Sequence, residues 1–114
     1  MLKREDMLSK TDLKKEAITI AEWGGDVFVA EMSGTSRDAW EQHLKERDSA
    51  GRIISPRAKL IAFTVVDEKG ERIFTDADIV LIGKLSSSSL EKVCVVAMRL
   101  NGLGEEGVEE AKKN

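Results

Sequence analysis

The chain has 114 residues, and its 18 lysines and arginines against 21 aspartates and glutamates give a formal net charge of −3. This length fits a single domain with one modest core. With 41% apolar and 34% charged residues, the composition is typical of a folded globular protein and excludes a fibrous or disordered chain. The lone cysteine, Cys94, excludes an internal disulfide and indicates a reducing compartment. Apolar runs such as Val93–Met98 are far shorter than the roughly 18 residues that a membrane-spanning helix needs.

The first part of the chain predicts an arm followed by a β-hairpin. Residues 1–14 mix charges of both signs with scattered apolar residues, which predicts a flexible arm, with a weak helix as the alternative. Ala17–Ile20 and Val27–Met32 are rich in residues that favour strands, and Trp23-Gly24-Gly25-Asp26 between them suits a turn. We expect a hairpin here, within a folded domain over residues 15–104.

A helix is predicted after the hairpin. Thr35 and Asp38 have the spacing of a capping pair, so we expect this helix to begin at Ser36 and to end near Asp48. Its inward face is expected to carry three apolar residues, Ala39, Trp40 and Leu44.

The middle of the chain allows two predictions around its only proline. Pro56 stands where a first helical turn favours proline, and good helix formers follow it, which predicts a helix over Pro56–Val66. The alternative is a second hairpin, in which Phe63–Val66 turns at Asp67–Gly70 and pairs with residues 72–74.

Two further helices complete the predicted fold. A capping sequence at Thr75–Asp78 predicts a short helix over Ile79–Lys84, and residues 86–101 have apolar positions at three- and four-residue spacing. Residues 105–114 are expected to form a frayed helical tail. The predicted fold class is α+β, with an N-terminal β-hairpin packed against about four short α-helices in a single small domain. The apolar face of the long helix consists of Leu90, Val93, Cys94, Ala97 and Leu100.

Residues that carry chemistry are sparse. His43 is the only histidine and lies on a different predicted helix from Cys94, which we expect to be a small core residue rather than a nucleophile. One cysteine and one histidine cannot supply the three or four ligands of a zinc site. We therefore predict no enzyme activity, no cofactor and no metal site.

Residues 45–59 contain a local excess of positive charge, with five bases against two acids. Such a segment could contact phosphate, so a small DNA-binding regulator is one alternative function. It has no aromatic side chain on which bases could stack, so we favour a solvated loop and expect no nucleic-acid partner. The five bases are Lys45, Arg47, Arg52, Arg57 and Lys59.

An ordered set of short patterns along residues 10–110 resembles a known protein family. The patterns include Glu22-Trp23-Gly24-Gly25, Arg37-Asp38-x-Trp40-Glu41, Val65-Val66-Asp67-x-x-Gly70 and Arg99-Leu100-Asn101-Gly102-Leu103. Together they resemble the tail assembly chaperones of bacteriophages, or prophages, with long non-contractile tails. No single pattern is specific; the resemblance rests on their order.

The resemblance implies a non-enzymatic function in the cytoplasm of the host bacterium. A protein of this family is expected to keep the tape-measure protein soluble, to release it as tail-tube subunits polymerise, and to be absent from the mature virion. A longer form made by ribosomal frameshifting would recruit the tail-tube protein. Lys112-Lys113-Asn114 fits either a slippery codon run for that event or an ordinary lysine-rich helix end. Weak self-association is also expected, and no membrane partner.

Four apolar residues are candidate partner contacts, because their burial within the domain is least assured. They are Trp23, Phe74, Leu103 and Val108. The alternative for Trp23 and Phe74 is packing against the core. A structural component of the virion tail, such as a connector or terminator, is the other alternative function.

Overall fold

The computed structural model describes residues 1–103, so the predicted tail over residues 105–114, with Val108, lies outside the described residues. Within residues 1–103 the chain forms five α-helices and one three-stranded sheet. The helices are α1 (Arg4–Leu8), α2 (Gly34–Leu44), α3 (Pro56–Thr64), α4 (Ile79–Ile82) and α5 (Ser87–Leu100). The strands are β1 (Lys15–Ile20), β2 (Gly25–Ala30) and β3 (Val65–Val66). The predicted α+β class and the single small domain are confirmed.

The sheet is antiparallel in the order β1-β2-β3, and β1 with β2 forms the predicted hairpin. The register places Ala17 opposite Phe28 and Ile18 opposite Val27. A 3₁₀ turn over Ala21–Trp23 joins the two strands. It is followed by Gly24, whose φ of 76° favours glycine. Each strand begins two residues before its predicted start.

The segment after Pro56 combines both predicted alternatives. Pro56 starts α3 as expected, but the helix ends at Thr64, and Val65–Val66 pairs with β2 instead. The backbone then turns, and Arg72 forms an isolated antiparallel bridge with Val66. A run of three β-branched residues explains the change, because such residues fit an extended backbone better than a helix. The predicted helix is therefore two residues too long, and the alternative hairpin is present only in part.

A different residue from the one predicted caps the N-terminus of α2. The Ser33 side chain accepts a hydrogen bond from the backbone N–H of Ser36 at 3.1 Å, and the helix begins at Gly34. The predicted cap, Thr35, lies inside the first turn. Serine satisfies an N–H group that the first turn leaves without a helical partner, so the helix starts two residues earlier than predicted.

Helix α2 ends at Leu44 rather than near Asp48. The carboxylate of Asp48 accepts hydrogen bonds from the backbone N–H groups of Ala50 and Arg52 at 2.8 and 2.9 Å. The backbone N–H of Asp48 donates to the carbonyl oxygen of Arg52 at 2.9 Å, so this local turn takes a donor that a longer helix would use. Helix α4 is also shorter than predicted and stops before Gly83, whereas α5 matches its predicted limits to within one residue at each end.

The core lies between one face of the sheet and helices α3 and α5. Glu16 and Val29 are paired across the hairpin and point to the same face, and Arg99 of α5 forms an ion pair with Glu16. The predicted apolar face of α5 is confirmed, with four residues buried and Leu100 half-buried. On α2, Trp40 is buried and Leu44 packs against the core as predicted, but Ala39 is exposed.

The N-terminal arm contains α1, which corresponds to the weak helix given as the alternative for this segment. Its first turn is held by a hydrogen bond from the backbone N–H of Lys3 to the Asp6 carboxylate at 3.0 Å. Every residue from 1 to 14 is exposed. The arm therefore leaves its apolar side chains in solvent.

Candidate interaction surfaces

Cys94 and His43, for which we predicted no catalytic role, are both held by their surroundings in the fold. Burial raises the pKa of the Cys94 thiol to about 11, which disfavours the thiolate form that a nucleophile requires. His43 lies between two carboxylates, with Nε2 3.2 Å from Asp76 and Nδ1 3.2 Å from Glu46.

Within residues 1–103, no three His, Cys, Asp or Glu side chains lie close enough together to hold a metal ion. The same residues contain no helix with the length and apolar character needed to cross a membrane.

Residues 45–55 form the largely exposed loop that we expected, but the last base of the basic segment does not belong to it. Lys59 lies on α3 with only 1% of its surface exposed, and its Nζ donates to the carbonyl oxygen of His43 at 2.7 Å. The same Nζ lies 3.3 Å from the Glu46 carboxylate. Arg52 pairs with Asp48 and Arg57 with Glu91. Three of the five bases, Arg52, Arg57 and Lys59, are therefore paired with acids, which does not favour binding of a phosphate backbone.

The three predicted partner contacts that the structure describes lie at separate places in the fold. Trp23 lies at the hairpin turn, beside the Glu22–Lys92 ion pair. Phe74 lies in the connection between β3 and α4, and Leu103 lies beyond the C-terminus of α5. Each is half-buried and packs against the core. The structure does not bring them together into one surface.

A more exposed apolar surface surrounds α4. Ile79 and Ile82 anchor this four-residue helix in the core, so its other two residues point to solvent. Val80 is 65% exposed, Leu81 61% and Leu85 42%. These three residues form what we call the α4 patch. The sequence carries a signal for it, because four consecutive apolar residues on one short helix cannot all face the core.

A second surface, the outer groove, lies on the face of the sheet opposite α5. Phe28 points to this face, because its neighbour Val29 points toward α5. The groove has a volume of about 470 Å³ and an apolar floor of Phe28, Val66 and Ile73. Four acids and one base line its rim: Asp26, Asp67, Glu68, Glu71 and Lys69.

The turn after β3 fixes part of this rim. Asp67 accepts hydrogen bonds from the backbone N–H groups of Glu71 at 3.0 Å and Lys69 at 2.8 Å. These bonds, the one from Glu71 first, lower the pKa of the Asp67 carboxyl group, which keeps it ionised. On the other side, the Lys15 ammonium donates to the carbonyl oxygen of Glu68 and lies 4.7 Å from the centre of the Phe28 ring. The groove is therefore acidic at its rim and apolar below.

Similarities to known proteins agree with this fold. The sequence model of the family described as phage tail assembly chaperone matches residues 2–114. Among solved structures, that of the bacteriophage HK97 tail assembly chaperone is similar, with a TM-score of 0.60 and 16% sequence identity over 84% of this chain and 91% of that one. No curated protein sequence matches the chain. The structural likeness supports the fold, and the family match extends over nearly every residue. The chain belongs to the phage tail assembly chaperone family.

Proposed function

We propose that this chain binds the tape-measure protein of its phage and keeps it soluble until tail-tube subunits polymerise around it. The α4 patch carries this proposal, because it holds three large apolar side chains in solvent on an otherwise well-packed domain. A contiguous exposed apolar surface of this kind marks a site of protein interaction. An amphipathic helix of a client could place its own apolar face there. Membership in a chaperone family supports the same function.

The proposal includes the remaining expectations from the sequence. The chain acts without catalysis or a cofactor, in the host cytoplasm, and does not remain in the virion. A longer frameshifted form recruits the tail-tube protein, and copies of the chain associate weakly. The exposed parts of Trp23, Phe74 and Leu103 add secondary contacts, as does Val108, which lies outside the described residues.

Co-expression tests the client assignment directly. The chain is produced together with the tape-measure protein of the same genome, and the soluble fraction is assayed for a complex that co-purifies. A double variant, Val80→Ser with Leu81→Ser, is expected to reduce the soluble client at least about tenfold, because burial of each such side chain stabilises a complex by about 1.5–3 kcal/mol. Val95→Ser is the matched control, since Val95 is 55% exposed on α5.

Three outcomes would contradict the proposal or part of it. Client that stays insoluble beside a folded chain would remove the tape-measure assignment. Detection of the chain in purified virions by mass spectrometry would favour the alternative of a structural tail component. Equal loss of client with Val95→Ser would show that the α4 patch is not the specific contact.

A further inference from the structure

His43 is the only histidine of the chain, and its ring lies between two carboxylates from different parts of the fold. Nε2 lies at hydrogen-bond distance, 3.2 Å, from Asp76, which begins the 3₁₀ turn leading into α4. Nδ1 lies 3.2 Å from Glu46, in the loop after α2. The ring also packs against Phe63 of α3, with the ring centres 5.5 Å apart. The imidazole is therefore where α2, α3 and the start of α4 meet.

Only the charged form of this ring can donate to both carboxylates. A neutral imidazole has one N–H donor and one lone pair, whereas an imidazolium has two donors. A neutral ring would therefore direct its lone pair at either Asp76 or Glu46. Nδ1 is buried from solvent and has no aligned hydrogen-bond partner among residues 1–103, so a lone pair there would face Glu46 without a donor. Loss of the ring proton should weaken one of the two contacts.

The other charged groups around the ring are paired with the same two carboxylates. Lys59 of α3 lies 3.3 Å from Glu46, and Arg72 lies 3.2 Å from Asp76. Histidine is the residue type that ordinarily changes charge between about pH 5 and pH 8. The Cys94 thiol does not do so, because burial raises its pKa to about 11. A proton gained or lost in this cluster near neutral pH is therefore expected at the imidazole.

Asp76 connects this cluster to the α4 patch. Its turn, Asp76–Asp78, continues directly into α4, so a shift of Asp76 is transmitted to the start of that helix. From the other side Arg72 holds the carboxylate, and the Arg72 Nε is anchored on α3 by donation to the carbonyl oxygen of Ala62 at 2.7 Å. The contact with α3 therefore does not depend on the ring proton, whereas the contact with α2 does.

We propose that His43 is a positioning residue for the α4 patch. Its protonated ring holds the turn that begins with Asp76 against the end of α2, and loss of the proton loosens that contact. The consequence for the client rests on the function proposed above, but the coupling within the chain does not. The protonated form keeps Val80 and Leu81 in the arrangement described, so client binding should be tighter near about pH 6 than near pH 8.

Nuclear magnetic resonance of the full chain tests the coupling without a client. The ring signals of the only histidine follow its protonation, and the methyl signals of Val80 and Leu81 follow the α4 patch. Between about pH 5.5 and pH 8 these methyl signals should shift with the same midpoint as the ring signals. Methyl signals of Val95, 55% exposed on α5, are the internal control and should not shift.

Two variants show whether the coupling passes through Asp76. Asp76→Asn keeps a polar side chain but removes the carboxylate, so the ring should still titrate while the α4 methyl signals no longer follow it. Asp38→Asn removes an exposed carboxylate on α2 and should leave the coupling intact. Methyl signals that do not follow the ring in the intact chain, or that still follow it in Asp76→Asn, would overturn the proposal.

Client capture measures the consequence of the coupling. The amount of tape-measure protein retained by the intact chain should fall about threefold from about pH 6 to pH 8, the effect expected of one partly exposed ion pair. His43→Gln cannot change its charge and should retain equal amounts at both pH values. Capture whose pH dependence survives in His43→Gln would also overturn the proposal. If no variant captures client at either pH, the proposed function fails, and the methyl titration alone decides the coupling.

Discussion

At the scale of single residues, Asn101 joins three parts of the fold. Its Oδ1 accepts the backbone N–H of Met32 at 2.7 Å, and its Nδ2 donates to the carbonyl oxygens of Ala30 at 3.3 Å and Ala97 at 2.8 Å. The backbone carbonyl of Asn101 also accepts a hydrogen bond from Arg37 at 3.0 Å. The residue therefore connects the end of β2, the end of α5 and the start of α2.

Replacement of Asn101 by Asp should destabilise the protein by about 1–3 kcal/mol. The aspartate keeps an acceptor for Met32 but loses both N–H donors and adds negative charge beside two carbonyl oxygens. Urea unfolding followed by circular dichroism measures the change. Gln42→Glu, at an exposed position on α2, makes the same chemical change and should shift the free energy of unfolding by less than about 0.5 kcal/mol. Equal effects of the two substitutions would contradict the role assigned to Asn101.

The sequence did not indicate the roles of Asn101 and Lys59, because tertiary contacts create both. The sequence pattern around Asn101 indicates only that the residue lies at a helix end. It does not indicate that the end of β2 packs beside it. Lys59 belongs by composition to a basic segment, yet the carbonyl oxygen at the end of α2 and the Glu46 carboxylate draw its ammonium into the interior. By contrast, Cys94 was predicted correctly, since helical periodicity alone places it in the apolar face of α5.

At the scale of elements, the α3–β3 segment shows how the conformational preferences of residues combine with strand pairing to set the end of a helix. Proline and the good helix formers that follow it favour a helix, and the β-branched end favours a strand. Both preferences are satisfied in turn, because β2 offers a free edge to Val65–Val66. The sequence could supply the two preferences but not the residue at which one replaces the other. Neither the α4 patch nor the outer groove was predicted. The run of four apolar residues in α4 was a signal that could have indicated the patch, whereas the groove depends on this pairing.

A charged cluster holds the end of α2 against the connection before α4, and Asp76 should make its stability depend on pH. Partial burial raises the pKa of Asp76, but hydrogen bonds from Arg72 and His43 and their charges outweigh it and lower the pKa. A carboxyl group with a lowered pKa in the folded state stabilises the fold above its unfolded pKa of about 4. This contribution is lost as pH falls through the folded value.

The variant Asp76→Asn should therefore be less stable than the intact chain at pH 7 and should lose less stability between about pH 5 and pH 2. The difference should be modest because the Asp76 side chain is 56% exposed and its ion pairs are screened by solvent. Thermal unfolding across this pH range measures it. Asp38→Asn, an exposed carboxylate on α2 without an ion pair among residues 1–103, is the control. Parallel pH profiles for the intact chain and Asp76→Asn would contradict the prediction.

At the scale of the whole molecule, one core receives side chains from the sheet and from four of the five helices. Ile20 and Val29 come from the hairpin, and Val93 comes from α5. Two ion pairs support the same packing. Glu16 of β1 pairs with Arg99 of α5, and Glu22 of the hairpin turn pairs with Lys92 of α5. The interaction surfaces lie outside this core, so the domain can be rigid while α1 and the α4 patch remain available to partners.

The shared core predicts that hairpin and helices unfold together. Trp23 reports on the hairpin turn and Trp40 on the buried side of α2, so the variants Trp23→Phe and Trp40→Phe each leave one fluorescent probe. The indole N–H of Trp40 has no hydrogen-bond partner among residues 1–103, so its replacement by phenylalanine strands no acceptor. In each variant, the urea midpoint from fluorescence should equal that from helical circular dichroism, as a two-state transition requires. An earlier fluorescence midpoint in the Trp40→Phe variant would show that the hairpin opens on its own, and that the sheet is a separate unit resting on a helical core.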